Sequence, residues 1–230
     1  MTHWGRHFES YDLFMNSFSK YQKTIKFHIL HHQKSKIILD NGCGTGNLTL
    51  ALLLKKHRVI AIDPEPKILD VVKIKCKDNA SNLKLENMDG QNLKYPNNTF
   101  DGASSMFVIP FVKANKKYLS EIFRVLKPGG KAVISAWAPK KDIMTRITKD
   151  MEREFKNKKI LPKYGDNWKE FLKTSKINSK NVILSYNTIN LESDIKEIGF
   201  IRINKYLKNP YKNYALFITC RKPIYPKTLS

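Results

Sequence analysis

The chain has little cysteine, and the cysteines it has form no recognisable pattern. Its 230 residues include three, Cys43, Cys76 and Cys220, an odd number at wide spacings. A disulfide framework needs an even set, and a structural zinc site needs ligands at short, regular spacings. We therefore predict neither a disulfide framework nor a metal site. The cysteines are expected to be free thiols in a protein of a reducing compartment.

Long apolar runs, repeats and low-complexity tracts are also missing. No stretch approaches the roughly 20 apolar residues that a membrane-spanning helix requires, and the first residues, MTHWGRHFESYD, lack the apolar segment of a signal peptide. The length predicts one domain with a sizeable core. The expectation is a single cytoplasmic domain without a membrane span, either monomeric or homodimeric.

Acidic residues are few, with 20 Asp and Glu against 42 Lys and Arg, which gives a net charge of +22. Such an excess is typical of proteins that bind nucleic acid. However, only seven of the basic residues are Arg, the residue favoured for gripping phosphates and stacking on bases, and the excess is spread along the chain. The composition therefore favours background charge over a nucleic-acid face, and an acidic substrate also fits it.

What the chain does have is a glycine-rich turn directly after an apolar strand. Residues 37–46 read IILDNGCGTG, in which a strand ends on Asp40 and runs into Gly42, Gly44 and Gly46. Glycines allow a tight turn and a close approach of ligand to backbone. A second strand ends on Asp63, 17 residues after Gly46, where a carboxylate can accept hydrogen bonds from both hydroxyls of a ribose.

Two nucleotide-like cofactors compete for this turn. The dinucleotide fingerprint is G-x-G-x-x-G and sets a helix N-terminus against a pyrophosphate. Here the spacing is D-x-G-x-G-x-G, with Asp40 two residues before the first glycine. A carboxylate repels a pyrophosphate and attracts an ammonium or sulfonium centre. The charge pattern therefore favours S-adenosylmethionine.

At this point the chain resembles the class I S-adenosylmethionine-dependent methyltransferases, in particular the small-molecule (type 11) subgroup that includes quinone-biosynthesis C-methyltransferases. The resemblance covers residues 37–137 and resumes over 189–223. It is carried by four blocks in order: LDNGCGTG at 39–46, VIAIDPEPKIL at 59–69, ENMDGQNLKYPNNTFDGASSM at 86–106 and EIFRVLKPGGKAVISAW at 121–137.

The resemblance implies a role for each matching position. The turn Gly42, Cys43, Gly44 and Gly46 would wrap the methionine part of S-adenosylmethionine, with Asp40 near its amino group and S-adenosylhomocysteine as the product. Asp63 would take the ribose hydroxyls. The remaining implied contacts are Pro64 and Ile68 against the adenine, Met88 on its ring, Asp89 at its amino group, Gly90 and Gln91 through backbone N–H, and Ser105 and Met106 at the methionine end.

The fold class expected is α/β, a Rossmann-like, mostly parallel seven-stranded sheet with helices on both faces and a C-terminal antiparallel hairpin. Strands are predicted at 37–40, 58–63, 83–86, 100–105 and 131–137, and helices at 47–56, 66–76 and 115–126. Residues 1–34 would form N-terminal cap helices, 35–137 the cofactor-binding core, 138–186 a helical lid insertion, and 187–230 the last helix and the hairpin.

The substrate machinery is less well marked. Methyl transfer is a direct displacement that needs alignment and exclusion of water, and a base only for some nucleophiles. By resemblance, Tyr11 would close over the cofactor, and His7, four residues earlier, is a candidate base on the same helical face. His31 and His32 precede the first strand, at the end away from the ligand, and are not expected to act.

One departure from the family bears on the substrate. Many relatives carry a histidine about nine residues after the FD pair at 100–101, where this chain has Pro110 and Phe111. The loop therefore favours a hydrophobic substrate, or a nucleophile that needs no strong base. The lid aromatics Phe155, Tyr164, Trp168 and Phe171 either face that substrate or form the lid's own small core.

The expected activity is methyl transfer to N, O or an activated carbon of a small molecule. The alternatives are an RNA methyltransferase that uses the basic surface, and a partner protein that binds the cofactor without catalysis. Against RNA base methylation, the residues after the fourth strand are Ser104-Ser105-Met106-Phe107, with neither an N/D-P-P-Y/F turn nor a cysteine, and the Asn-Pro-Tyr at 209–211 lies elsewhere.

Overall fold

A seven-stranded sheet organises the chain in the order β3-β2-β1-β4-β5-β7-β6. The computed structural model describes residues 8–138, 143–161, 164–173 and 191–224. The strands are β1 (Ile37–Asn41), β2 (Arg58–Asp63), β3 (Leu83–Asn87), β4 (Phe100–Met106), β5 (Leu126–Trp137), β6 (Ile201–Lys205) and β7 (Ala215–Arg221). The predicted fold class is confirmed.

Strands β1 to β5 are parallel, and β7 pairs antiparallel with both β5 and β6. The central strands are buried on both faces: only Arg58 in β2 is exposed, and four of the five residues of β1 are buried. Apolar runs of this kind are what a parallel sheet covered by helices requires. The chain order reverses between β1 and β4, and in such sheets ligands bind at the carboxyl ends of the strands beside that point.

Helices cover both faces of the sheet. The bounds are α1 (Phe8–Ser17), α2 (Ser19–His32), α3 (Asn47–Leu54), α4 (Pro66–Lys75), α5 (Asn115–Val125), α6 (Ile143–Asn157), α7 (165–173) and α8 (Leu191–Ile198), with short 3₁₀ turns at Lys77–Asn82, Ile109–Phe111 and Lys212–Tyr214. Two separate apolar clusters result. One lies under α1 to α4, α6 and α7, and the other under α5 and α8.

Strand β5 begins earlier than the sequence predicts. The expected start was residue 131, after a structural turn at Leu126-Lys-Pro-Gly-Gly130, whereas the strand runs from Leu126. Leu126 pairs with Phe100, and the next pair joins Lys131 to Gly102, so the residues between them bulge out of the ladder. Gly129 takes a φ of +77° within this bulge. The prediction was wrong here because a bulge and a turn share the same glycine signal.

The N-terminal helices pack against α6 and α7 through aromatic rings. Phe14 of α1 lies 5.5 Å from Phe155, 5.1 Å from Trp168 and 5.4 Å from Phe171, measured between ring centroids. Trp168 and Phe171 stack at 5.3 Å. The aromatics of the segment 138–186 thus form a core shared with α1. The rest of that segment, at 139–142, 162–163 and 174–186, lies outside the described residues.

Within the described ranges, no helix has both the length and the apolarity to cross a membrane. Cys43, Cys76 and Cys220 are all buried free thiols.

Candidate cofactor site

The glycine turn lies at the carboxyl ends of β1 and β2, and its glycines are required by geometry. Gly42 and Gly46 have φ angles of +80° and +78°. A Cβ on Gly42 would lie 2.7 Å from Val108, and one on Gly46 would lie 2.8 Å from Val72. Gly44 differs, because a Cβ there would meet nothing within 4 Å. The turn is therefore closely packed on two sides and open above Gly44.

Four N–H groups of the turn donate hydrogen bonds within the protein. Those of Gly42 and Cys43 both donate to the carbonyl of Ile62 at 2.9 Å, and that of Gly46 donates to Cys43 at 3.0 Å. The N–H of Gly44 donates to Asp63. Three of these N–H groups, those of Gly42, Cys43 and Gly44, thus bind the turn to the end of β2.

Asp63 connects the turn to the start of α4. Its Oδ2 accepts from Gly44 N at 3.1 Å and its Oδ1 from Glu65 N at 3.0 Å. Burial raises the pKa of this carboxyl, and the two N–H donors partly oppose that effect. A carboxylate oxygen accepts more than one hydrogen bond, so Asp63 keeps acceptor capacity for ligand hydroxyls.

Asp40 is the more deeply buried of the two acids, with 1% of its surface exposed. Its Oδ2 accepts a 2.6 Å hydrogen bond from Thr49 Oγ1 of α3. Burial raises its pKa to about 7, and the charge of Asp63 adds to this effect, while the bond from Thr49 opposes it. A buried carboxyl of this kind is poised to accept a cation, because a positive charge nearby would offset its desolvation.

The loop after β3 brings the other predicted positions to the same end of the sheet. Gly90 packs so closely that a Cβ would lie 2.0 Å from Asn41 Oδ1 and 2.7 Å from Tyr118. Asp89 Oδ1 accepts from the N–H of Gln91, and Gln91 Oε1 accepts from Ala114 N. Asp89 is exposed, so its carboxylate is open to a ligand on its outer side.

Several predicted positions present little side chain to a ligand. Ser105 is fully buried, with its hydroxyl 2.9 Å from Tyr118 Oη, so any contact would come from its backbone. Cys43 is buried with its thiol against Gly44 O, and burial raises its pKa, which suits a filler and not a nucleophile. Ile68 is buried, Pro64 is exposed, and Met88 and Met106 are half-buried.

Helix α1 lies directly across the glycine turn. Asp12 Oδ1 accepts from Thr45 Oγ1 at 2.6 Å and from Asn47 Nδ2 at 3.0 Å. Its Oδ2 lies 2.5 Å from Lys75 Nζ of α4, and that ammonium also donates to the carbonyl of Thr45. We call these four residues the Asp12 latch. The sequence does not predict the Asp12 latch, because its four residues are far apart in the chain and only the fold brings them together.

The predicted closing residue, Tyr11, is adjacent to this latch. Burial raises its pKa, the charge of Asp12 raises it further, and a hydrogen bond with Tyr21 opposes both. Its ring centroid lies 6.5 Å from that of Phe171 in α7. Tyr11 therefore lies between the glycine turn and α7, whereas the other catalytic candidate, His7, falls outside the described residues.

The wall beyond β4 and β5 is aromatic. Phe107 follows β4 and stacks on Trp137 at the end of β5, with centroids 3.9 Å apart and an interplanar angle of 10°. Tyr211 meets Phe107 edge-on at 5.6 Å and Trp137 at 4.9 Å. The Asn-Pro-Tyr turn at 209–211 is structural, since Asn209 Nδ2 donates to the carbonyls of Tyr206 and Ala215.

Two histidines of α2, His28 and His32, lie behind the sheet. His28 is fully buried between Ser104 and Ser135, with its two ring nitrogens 3.1 Å from their hydroxyls. His32 Nε2 lies 3.0 Å from the Ser104 hydroxyl. Burial lowers the pKa of His28 to about 3 and lowers that of His32. They bind α2 to β4 and β5 as neutral rings and do not face the cofactor site.

Part of the chain is similar to known methyltransferases. Residues 39–134 match the family model described as a methyltransferase domain. The demethylmenaquinone methyltransferase of Symbiobacterium thermophilum is 34% identical over 45% of this chain and 43% of its own length. That of a Geobacillus species is 33% identical over 52% and 55%. The chain thus spans about half the length of these curated relatives.

The fold agrees with this match. A solved structure from Methanococcus maripaludis, described as an S-adenosylmethionine-dependent methyltransferase, superposes with a TM-score of 0.63, covering 95% of this chain and 91% of its own, at 19% identity. The sheet order and the glycine-and-acid site define an α/β methyltransferase fold. Residues 39–134, which match the methyltransferase-domain model, lie within this fold and include the glycine turn, Asp40 and Asp63.

Proposed function

We propose that this chain transfers a methyl group from S-adenosylmethionine to a carbon atom of a small, hydrophobic, quinol-like acceptor. The observation that supports it most directly is the position of two buried acids, Asp40 and Asp63, beside the only glycine of the turn with open space above it, Gly44. The curated relatives act on demethylmenaquinone, as their names state, which suggests the acceptor class.

The residues present fit the cofactor. Its ribose hydroxyls would be held by Asp63 and its ammonium by the buried Asp40, whose carboxylate forms no ion pair among the described residues and accepts from Thr49. Gly42 to Gly46 would surround the methionine part, and Asp89 with Gly90 and Gln91 the adenine. S-adenosylmethionine supplies an electrophilic methyl group on a positively charged sulfur.

The acceptor would lie under α1, α6 and α7. Phe14, Trp168 and Phe171 are buried against one another there. The half-buried Met106 and Phe107 and the exposed Phe111 would then contact the acceptor, and they offer dispersion and ring contacts and little polar recognition. We infer that the N-terminal helices and the segment 138–186 act as cap and lid, which exclude water from the reacting atoms.

No strong base faces this compartment among the described residues. Tyr11 has a raised pKa, and Asp12 is held by Lys75. Carbon methylation of a hydroquinone needs its oxygen ionised, so that the ring carbon becomes nucleophilic. We propose that His7 supplies this base, and that Tyr11 orders the cofactor under α1. His7→Gln should then lower kcat and shift its pH profile, with cofactor affinity unchanged.

Calorimetric titration with S-adenosylmethionine and S-adenosylhomocysteine tests the cofactor site. We expect micromolar binding that Asp63→Asn weakens by about 100-fold, because a charged acceptor is replaced by a neutral one. Asp70→Asn, on the exposed side of α4, is the matched control and should bind as the wild type does. Equal affinity in Asp63→Asn and wild type would refute the ribose assignment.

Transfer of labelled methyl tests the acceptor. Reduced and oxidised short-chain naphthoquinones should be compared, with unmodified transfer RNA as a third arm. We expect transfer to the reduced quinol alone, and a product that carries the label on carbon. Label in RNA, or on oxygen or nitrogen, would contradict the carbon assignment while leaving the cofactor site intact.

A further inference from the structure

A second pocket lies away from the cofactor site, at the other end of the sheet. It has a volume of about 210 Å³ and lies between the end of α2 and the paired strands β5, β7 and β6. Its lining includes His31 from α2, Lys131 at the amino end of the paired part of β5, Arg202 from β6 and Arg221 from β7. We call it the basic pocket.

The basic pocket concentrates positive charge without a counter-ion. Lys131, Arg202 and Arg221 all line it, and none of its lining residues is acidic. Burial lowers the pKa of Lys131, and the charges of Arg221 and Lys34 lower it further, so these cations are close enough to repel one another. Neighbouring cations such as Lys205 and Lys127 are paired with Glu192 and Asp101. Among the described residues, Lys131 and Arg202 make no such pair.

The backbone departs from regular geometry at this pocket. Between the pairs Ile201–Arg221 and Asn204–Thr219, strand β6 carries one extra residue. In this bulge Arg202 takes a φ of +50°, a region that non-glycine residues seldom occupy. Arg202 and Asn204 both line the pocket. Bulges of this kind often redirect side chains at binding sites.

The remaining wall offers neutral donors on rigid rings. The ring centroids of His31 and Tyr206 lie 5.1 Å apart, and both pack against Phe27, at 4.5 and 4.9 Å. Tyr206 Oη lies 3.4 Å from Thr219 Oγ1 at the same wall. Burial and the charge of Lys131 lower the pKa of His31, so its ring is neutral at pH 7 and can donate one hydrogen bond.

We propose that the basic pocket binds a phosphate group carried by a small molecule, or free phosphate itself. Guanidinium groups match phosphate oxygens with paired N–H donors, and an ammonium adds charge at short range. Asn204, Thr219 and Tyr206 supply further polar atoms in the lining. The cavity is large enough for a phosphate and a small attached group and far too small for a duplex, whose backbone would meet only its rim.

The site is independent of the proposed methyl transfer. Lys131 and Arg221 form the first pair of the β5–β7 ladder, counted from the amino-terminal side of β5, whereas the glycine turn follows the carboxyl end of β1. A ligand in the basic pocket would therefore occupy it while the cofactor site is also filled. Its binding can be measured without any assay of activity.

The test is a titration of the full chain, labelled with ¹⁵N, with inorganic phosphate and pyrophosphate at constant ionic strength. We expect saturable shifts of the Lys131, Arg202 and Arg221 amides, with a dissociation constant of about 1 mM or tighter. Arg202→Gln and Lys131→Gln should each weaken binding by about tenfold or more. Arg202→Lys should weaken it by less, because lysine keeps the positive charge and lacks only the paired N–H donors of the guanidinium group.

Lys23→Gln is the matched control, since Lys23 is an exposed cation on α2 that does not line the pocket; it should change the affinity less than twofold. A single-stranded RNA oligonucleotide forms a separate arm. The proposal is overturned if no saturable shifts appear, or if Arg202→Gln binds phosphate as tightly as the wild type does. It is also overturned if the RNA binds, the Arg202 and Lys131 variants weaken that binding, and neither phosphate nor pyrophosphate binds.

Discussion

Replacing Asp40 by asparagine should make the apo protein more stable at alkaline pH while impairing its cofactor site. Asp40 has 1% of its surface exposed, and its one described hydrogen-bond donor is Thr49. Its pKa rises from an ordinary value of 3.8 to about 7, chiefly because burial removes the carboxylate from water. The protein therefore holds a charge that its own interior disfavours.

The direction and size of this change in stability follow from the linkage between proton binding and folding. Between pH 3.8 and about 7 the folded state keeps a proton that the unfolded state has released, so the free energy of unfolding falls as the pH rises through this window. One pKa step corresponds to about 1.4 kcal/mol. The difference amounts to up to about 4 kcal/mol of lost stability above pH 7, and none below pH 3.8.

Asp40→Asn removes this charge and keeps an oxygen that can accept from Thr49. At pH 8.5 the variant should be more stable than the wild type by about 2 to 3 kcal/mol. This is less than the full gain from removing the charge, because an amide N–H without an acceptor lowers the stability by about 1 kcal/mol. At pH 4.5 the advantage should vanish. Affinity for S-adenosylmethionine should fall at least about tenfold, because its ammonium loses the ionic partner.

Urea denaturation followed by circular dichroism at the two pH values measures the effect, with calorimetry for the cofactor. Asp101→Asn is a control of opposite sign. Asp101 accepts from Lys127 and from the N–H of Ile37, and these contacts lower its pKa, so its removal should destabilise the protein at pH 8.5. A variant Asp40→Asn that is less stable than the wild type at both pH values would refute the reasoning.

Three further predictions follow from contacts described above. Gly90→Ala should lower the free energy of unfolding by about 2 kcal/mol, because its Cβ meets Asn41 and Tyr118. Gly44→Ala should lower the free energy of unfolding by about 1 kcal/mol, because Gly44 has a φ of +52°, and its main effect should be a lower affinity for the cofactor. Urea titration measures the change in stability, and calorimetry measures the change in cofactor affinity. Asp12→Asn should release α1 from Lys75 and Thr45, seen as faster amide exchange in α1 with exchange in β1 unchanged; equal exchange would show that the Asp12 latch does not hold the helix. The lowered pKa of His28, about 3, means that its contribution to stability is complete above pH 6.5 and is lost as the pH falls toward 3, so His28→Gln should show a flatter decline of stability below pH 6.5 in acid denaturation; a decline as steep as in the wild type would contradict this role.

The sheet could be predicted from the sequence because its signals are local. Apolar runs such as the one ending at Asp63, each followed by a helix, specify parallel strands, and the acids and glycines at their ends mark one edge as the ligand edge. Gly42 and Gly46 were correctly expected to need freedom from a side chain, and both take positive φ angles. Local pattern and global fold agree at these positions.

What the sequence did not predict depends on contacts between distant residues. The Asp12 latch joins positions 12, 45, 47 and 75, and the basic pocket joins positions 31, 131, 202 and 221. No spacing rule brings such positions together before the fold is known. His28 shows a related difficulty, because a buried structural histidine and a catalytic one look alike in sequence and differ only in what surrounds them.

The position of β7 in the sheet has a consequence for how the chain folds during synthesis. β7 is the last described strand, yet it lies between β5 and β6 and pairs with β5 over seven residues, from Lys131 to Trp137. Until β7 has emerged, the long apolar edge of β5 stays without a partner and open to pairing with another chain. A chain terminated before residue 215 would contain helices α1 to α8 and an unpaired edge on β5, so the described sheet is complete only once β7 has been made.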